Sequence, residues 1–308
     1  MGYKIHDFKF QWSGNFGHAR ACIETALEQI DHSEYHLNIW NHTDLTKVRH
    51  QEALFIKPTA PTSKHFAIDD LGYANSSSLA FQNYGIHETM YSHLNPNNEM
   101  NWDLITNLID DRCNKWDDSI ILKWRKAKNV PKDHTLVIGQ MPKDETVEGF
   151  GLGGHVKKLD LITERLVKET KYPVVVKLHP RFKNDDHFRG RKSLIEKWKS
   201  WGVDVREGFE SIHDILPNTR VAIIDNSTAG IECLMHRIPI ISYGWPEYHW
   251  VTEKLQVLPQ LPRLVKDLEW HQRDNANKFI YWYINDYLCH DVDGTVIRIK
   301  DILDSWRL

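Results

Sequence analysis

Two short segments carry the side chains most able to do chemistry, Lys177-Leu178-His179-Pro180 and Asp225-Asn226-Ser227-Thr228-Ala229-Gly230-Ile231-Glu232. Each follows an apolar, β-branched run, Val174-Val175-Val176 and Val221-Ala222-Ile223-Ile224. Each therefore stands where a buried parallel strand gives way to a loop or helix. In open α/β sheets, ligands bind beyond these carboxyl ends. Lys177 offers a positive charge and His179 a charge or a proton. A helix opening at Ser227-Thr228 offers free N–H groups and the positive end of its dipole. Together they read as a phosphate cradle, suited to the phosphate ester of a nucleotide.

The elements that must position these residues follow from the pattern around them. Thr135–Ile138 is predicted as a strand ending in Gly139-Gln140, followed by an amphipathic helix over Val156–Thr170. Strands over Val174–Leu178, Val203–Val205, Val221–Ile224 and Ile238–Ile241 alternate with helices over Ser193–Trp201, Ile212–Leu216 and Gly230–His236. That rhythm predicts a parallel sheet with right-handed crossovers. Two further helices, Asn275–Tyr287 and Val296–Trp306, close the chain.

The first part is less regular. Phe8–Trp12 reads as a strand, Gly14, Gly17 and His18 lie in a glycine turn, and Ala19–Ile30 reads as a helix. The glycine turn is either a plain tight turn or a ligand contact. Strand candidates follow at Tyr35–Trp40 and Ala53–Lys57, and a third, from His65, runs into an acidic turn at Asp69-Asp70. Asp103–Lys128 is predicted helical, with Leu104, Ile105, Leu108, Ile109 and Cys113 on one face. Asn129–Asp133 breaks the pattern. The boundary is placed there, giving domains over residues 1–130 and 131–308, with the last helices free to pack back on the first domain.

Composition bounds what the chain can be. Its 308 residues allow two domains, and 41% hydrophobic with 26% charged residues describes a soluble globular protein. A net charge of -3 argues against a strongly basic nucleic-acid binder. The local run Lys177, Arg181, Lys183, Arg189, Arg191, Lys192 reads as a solvated face or a basic channel. Four widely spaced cysteines without a C-x-x-C pair argue against a zinc site or a disulfide framework, and fit a reducing compartment. No run of about 18 apolar residues occurs, so no transmembrane segment and a cytoplasmic location are expected.

The stretch from Leu136 to Tyr283 resembles the capsule polysaccharide biosynthesis glycosyltransferases, including those of the Kdo-transferase type. It is similar also to the wider group of two-domain GT-B transferases that carry His-Pro and Ser-Ser or Ser-Thr motifs. The residues that carry the likeness are Leu136–Gln140 with Asp144 nearby, Val175–Pro180, Asn226–Glu232 and Arg237–Gly244, followed by the aromatic segment Lys278–Tyr283. The resemblance implies a GT-B-like α/β fold, two Rossmann-like domains facing a central cleft.

It further implies a nucleotide-sugar-dependent glycosyltransferase with no separate cofactor. His179 would meet the leaving phosphate, with Lys177, Ser227 and Thr228 holding it. Glu232 would take the ribose hydroxyls, Gly139 and Gln140 would approach the donor, and the backbone at Tyr243-Gly244 would line the base. Inversion requires a base for the acceptor hydroxyl. Asp69 and Asp70 are the candidates, with His18 next, and Gly14 and Gly17 stand on the acceptor side. No tight Asp-x-Asp motif occurs in a fitting loop, so no metal is expected. The acceptor implied is a surface polysaccharide or glycolipid. Alternatives are a hydroxymethylated pyrimidine base in DNA, as in phage DNA modification, a nucleotide-sugar 2-epimerase, and a non-catalytic nucleotide-binding module.

Overall fold

The computed structural model describes residues 88–95, 101–113, 125–142, 154–180, 190–267 and 270–305. Before residue 88 it describes the strands named below and residues 22, 25–26 and 28–30. The chain divides into two compact units. Unit 1 holds Met1–His87, Cys113–Leu122 and Trp282–Leu308, and unit 2 holds Glu88–Arg112 and Lys123–Tyr281.

Unit 1 contains β1 (Tyr3–Lys4), β2 (Phe8–Phe10), β3 (Tyr35–His36), β4 (Ile39–Asn41), β5 (Glu52–Ile56), β6 (His65–Asp69) and β7 (Ala80–Phe81). β1 and β3 form a parallel pair. The other five make one sheet in the order β4-β2-β5-β6-β7, parallel except for the antiparallel β7. Cys22, Ala26 and Ile30, four residues apart, are all buried, as the expected Ala19–Ile30 helix requires of one face. The helix Val292–Ser305 also belongs to this unit and buries Thr295 and Ile299.

Unit 2 is built on β8 (His134–Ile138), β9 (Val174–Lys177), β10 (Asp204–Arg206), β11 (Thr219–Ile224), β12 (Ile240–Ser242) and β13 (Glu253–Lys254). Its helices are α1 (Asp103–Asp110), α2 (His155–Glu169), α3 (Arg191–Ser200), α4 (Ala229–Met235), α5 (Leu261–Lys266) and, except for its last residue, α6 (Arg273–Trp282). All six strands are parallel, in the order β10-β9-β8-β11-β12-β13. The chain lays down β8, builds outward to β10, then returns to place β11 on the other side of β8. β8 and β9 are buried at every position, which suits a central parallel sheet covered on both faces.

α2 turns Leu159, Ile162 and Leu166 inward at helical spacing, against Val137, Val174 and Val176. Each such side chain contributes roughly 1.5–3 kcal/mol by leaving water. From α3, the fully buried Trp198 packs into the same core while its indole N–H donates to Asp160 Oδ1 at 2.9 Å. A buried indole needs such a partner.

The helix expected over Asp103–Lys128 begins at Asp103 as expected but stops early, and residues 125–128 are not helical. α1 stops at Asp110, and Arg112 turns left-handed at φ 54°. At the far end Arg125 donates its N–H to Phe209 O at 2.6 Å and accepts from Ser211 N at 3.0 Å, so its backbone pairs with another strand-like segment. Ala127 N binds Asp214 Oδ2 at 3.1 Å. These partners, about eighty residues away in sequence, outcompete local helix formation. The expected Ile212–Leu216 helix divides into two short 3-10 turns, and α6 is continued by a π-helical turn over Tyr283–Tyr287.

Candidate functional site

The strand registers align Ile138 with both Lys177 and Ile224, and Ile224 with Ser242. The four segments that follow these strands therefore leave the sheet at one level. Between β8 and β11 the direction of winding reverses, and in a doubly wound sheet that point opens a crevice for a ligand. Gly139, Gln140, Lys177, His179, Ser227, Thr228, Glu232, Tyr243 and Gly244 all lie along this single carboxyl edge or in the two turns of α4 beyond it. The remaining candidates do not join them within unit 2. Asp69 ends β6 of unit 1, and Asp70, Gly14, Gly17 and His18 lie outside the described residues.

Across the reversal point the two strand ends are tied by side chains. Gln140 accepts the Asn226 N–H on its Oε1 at 2.7 Å, and its own N–H donates to His155 Nε2 at 2.9 Å. His155, the first residue of α2, meets Asp225 Oδ2 through Nδ1 at 2.9 Å. Because Nε2 accepts, the ring proton sits on Nδ1 and is donated to Asp225. Asp225 is fully buried, and among the described residues its Oδ1 has no hydrogen-bond partner. Glycine is required beside it. A Cβ on Gly244 would overlap Asp225 Oδ1 and stand 2.5 Å from its carbonyl oxygen.

Two cations act on this buried carboxylate. Lys158, one turn into α2, has its Nζ shut from solvent without a hydrogen-bond partner among the described residues. Burial lowers its pKa and the Asp225 charge partly restores it. Lys254 behaves in the same way and donates to Gly244 O. Tyr243 stacks on His155, with ring centroids 6.5 Å apart at 15°, and burial raises its phenol pKa well above the ordinary value.

Lys177 is buried, with Nζ donating to Gly208 O at 2.7 Å and Leu178 O at 3.2 Å. Burial pulls its pKa down to about 8, Glu210 opposing and Arg125 and Arg206 adding to the fall. Two of the three ammonium donors are thus committed to backbone carbonyls, one of them from the turn after β10. His179 is half-buried just beyond. On the other side, Ser227 Oγ accepts the Ala229 N–H at 3.3 Å and Ser227 O accepts the Tyr248 hydroxyl. The Tyr248 ring fills the space where any Cβ on Gly230 would go, so α4 seats directly on it. Glu232 is buried within α4.

His155, Lys158, Lys254 and the buried role of Asp225 escaped the sequence reading. The one local signal for His155 is its position at a helix start after Gly151-Leu152-Gly153-Gly154. Among the described residues, no group of three or more His, Cys, Asp or Glu side chains could hold a metal ion, and no helix is long and apolar enough to cross a membrane.

Comparison with known proteins adds a family to this geometry. The family model for capsule polysaccharide biosynthesis proteins matches residues 67–254, more than half of the chain. No curated protein matches. Among solved structures, the chain is similar to the β-Kdo 2,4 transferase of Thermosulfurimonas dismutans KpsC (15% identity, 80% of this chain and 87% of that chain, TM-score 0.46). It is similar also to the β-Kdo 2,7 transferase of the same protein (14%, 84% and 88%, TM-score 0.45). A glycosyltransferase from Rickettsia africae aligns at 8% identity over 96% of this chain and 84% of that chain, with a TM-score of 0.43. The matched span takes in the carboxyl edge from Gly139 to Gly244 and all its motifs, and the chain belongs to the capsule polysaccharide biosynthesis proteins, the glycosyltransferase family that those motifs resemble.

Proposed function

We propose that the protein transfers a sugar from a nucleotide-sugar donor to a hydroxyl of a saccharide acceptor, and that the donor is held in unit 2 at the reversal point between β8 and β11. The observation that carries this reading is the pair of side-chain ties across that point, Gln140 to Asn226 and His155 to Asp225. They join the two strand ends at the point where a doubly wound sheet takes its ligand, inside the span that matches the family.

In the proposed reaction the bond between the anomeric carbon and the phosphate oxygen breaks, and the nucleotide leaves with the electron pair. Lys177 and His179 offset the charge that develops on the leaving phosphate, assisted by the Ser227 and Thr228 hydroxyls. Glu232 and the backbone at Tyr243-Gly244 would hold the nucleoside. The acceptor hydroxyl attacks the anomeric carbon and gives its proton to a base, for which Asp69, Asp70 and His18 remain the candidates. Because cationic and hydrogen-bonding groups of the chain meet the phosphate, transfer is proposed to be metal-independent.

Thermal-shift measurements with CMP-, UDP-, GDP- and CDP-sugars test the donor site. A donor that binds the folded chain raises its melting temperature, and His179→Ala and Lys177→Met reduce the rise. No shift with any of the four overturns the assignment. Incubation of the bound donor with and without oligosaccharide then separates transfer from 2-epimerisation, which would convert the donor alone. Undiminished turnover in EDTA supports metal independence, and its loss refutes it. The anomeric configuration of the product, read by NMR, decides the stereochemical course. Inversion follows from direct attack by the hydroxyl, whereas a retained centre would require a covalent intermediate on a carboxylate and overturn the one-step scheme.

A further inference from the structure

The loop after β12 carries a row of three aromatic rings. Trp245 is 53% exposed and Trp250 40% exposed. Between them, His249 lies edge-on to Trp245 at 5.4 Å and tilted against Trp250 at 4.5 Å. The three rings form one contiguous, partly exposed aromatic surface, the kind of surface that marks a ligand-binding groove.

The row is held firmly from below. Tyr248 is buried and bonded to Ser227 O. His249 O accepts the Thr252 hydroxyl at 3.0 Å, and that hydroxyl lies 2.7 Å from Ser242 Oγ in β12. Lys254 Nζ sits 4.1 Å from the centre of the Trp245 ring and covers one of its faces. His249 Nδ1 stands 2.9 Å from Pro246 O, which can only accept, so Nδ1 carries the proton and Nε2 keeps its lone pair. Among the described residues Nε2 has no hydrogen-bond partner. Burial lowers the His249 pKa; the hydrogen bond to Pro246 O opposes this and the Lys254 charge adds to it, the net fall favouring this neutral form.

We propose that Trp245, His249 and Trp250 form a subsite for a saccharide chain, with pyranose C–H faces lying on the indoles and His249 Nε2 accepting a ring hydroxyl. The proposal rests on the reading of the protein as a glycosyltransferase and names where an oligosaccharide is gripped. A flat nucleobase fits the row poorly. Its rings are inclined to one another by 69° and 38°, so no single plane covers them. Successive pyranose rings, each with its own apolar face and turned by the glycosidic bond, follow such a surface.

The test uses the full chain and saturation-transfer NMR with maltopentaose, chitopentaose and oligosialic acid, alongside calorimetric titration of CMP, UDP, GDP and CDP. At least one oligosaccharide is expected to show contact through its C–H protons. Trp245→Ala and Trp250→Ala should each weaken it about tenfold, the worth of one aromatic face. Trp245→Phe should retain most of the binding, and His249→Gln should restore part of what His249→Ala loses. Nucleotide affinity should stay unchanged in all variants. Three results overturn the proposal: no contact with any of the three oligosaccharides, contact in both Trp→Ala variants as strong as in the native chain, or a nucleotide affinity that falls with Trp245→Ala and so gives the row to the donor's base. If the oligosaccharide binds through the tryptophans while no nucleotide binds the native chain, the subsite stands and the donor assignment falls.

Discussion

Removing the His155 side chain would leave two buried groups stranded at once. Both His155 and Asp225 are essentially inaccessible, with side-chain exposures of 1% and 0%. In His155→Ala the Gln140 N–H loses its acceptor, a loss of about 1–3 kcal/mol for a buried donor. Asp225 Oδ2 loses its donor while Oδ1 gains none, and breaking such a buried pair from one side costs about 3–5 kcal/mol. The two losses overlap, because water entering the vacated space reaches both groups. The expected destabilisation is therefore about 3–5 kcal/mol, a large share of the ~5–15 kcal/mol that holds a typical domain folded.

Asp225→Asn keeps an oxygen facing Nδ1–H and should lose only about 1 kcal/mol. Urea unfolding of the full chain, followed by tryptophan fluorescence and circular dichroism, provides the measurement. A double-mutant cycle between His155→Ala and Asp225→Ala should give a coupling of about 2–3 kcal/mol. Additive effects, or a His155→Ala variant within about 1 kcal/mol of the native chain, would show that the tie does not hold the strand ends together.

Gly244→Ala should lower stability by about 2–3 kcal/mol, because its Cβ would overlap backbone and side-chain atoms of Asp225 that cannot move without shifting the end of β11; an unchanged melting temperature refutes this. Lys177 has a folded pKa of about 8 against 10.5 unfolded, so the unfolded chain holds the extra proton between those values. Its contribution to stability therefore rises with pH from about 8 to 10.5, by at most ~3 kcal/mol. Lys177→Met should lack this rise, and parallel urea midpoints for variant and native chain across that range would refute it. His236, lowered to about 4 by burial and by His213 at 2.9 Å, favours the neutral form when folded. Stability present above pH 6.5 is then lost as the pH falls toward 4, by about 2 kcal/mol, and His236→Gln should flatten that acid transition. An acid midpoint that the substitution leaves in place counts against it.

The sheet of unit 2 was legible because its strands are runs that only a doubly covered parallel sheet accommodates. Val174-Val175-Val176 and Val221-Ala222-Ile223-Ile224 carry that signal locally, and the helices between them keep a period near four. What could not be read is whatever joins residues far apart in sequence. His155 and Asp225 are 70 residues apart, and Gln140 and Asn226 are 86 apart. No local pattern announces either pairing. Lys177 shows the same limit in another form. A lysine at a strand end reads as a free cation, yet the carbonyls of Gly208 and of neighbouring Leu178 commit two of its donors. The Arg125–Lys128 stretch failed for a related reason. Its helical periodicity is genuine, but strand-like pairing with Phe209 and Ser211 satisfies the backbone instead.

The strand order of unit 2 also sets a sequence of events for the emerging chain. β8 is the innermost strand by position but the first to be made, and β11, its second neighbour, follows some eighty residues later. Until then β8, β9 and β10 can exist only as a half-sheet whose open side is the fully apolar Leu136-Val137-Ile138. Such a side invites a strand from another molecule, and late parallel pairing is intrinsically slow. The strand order thus leaves the nascent protein with an open apolar sheet edge while some eighty further residues are made.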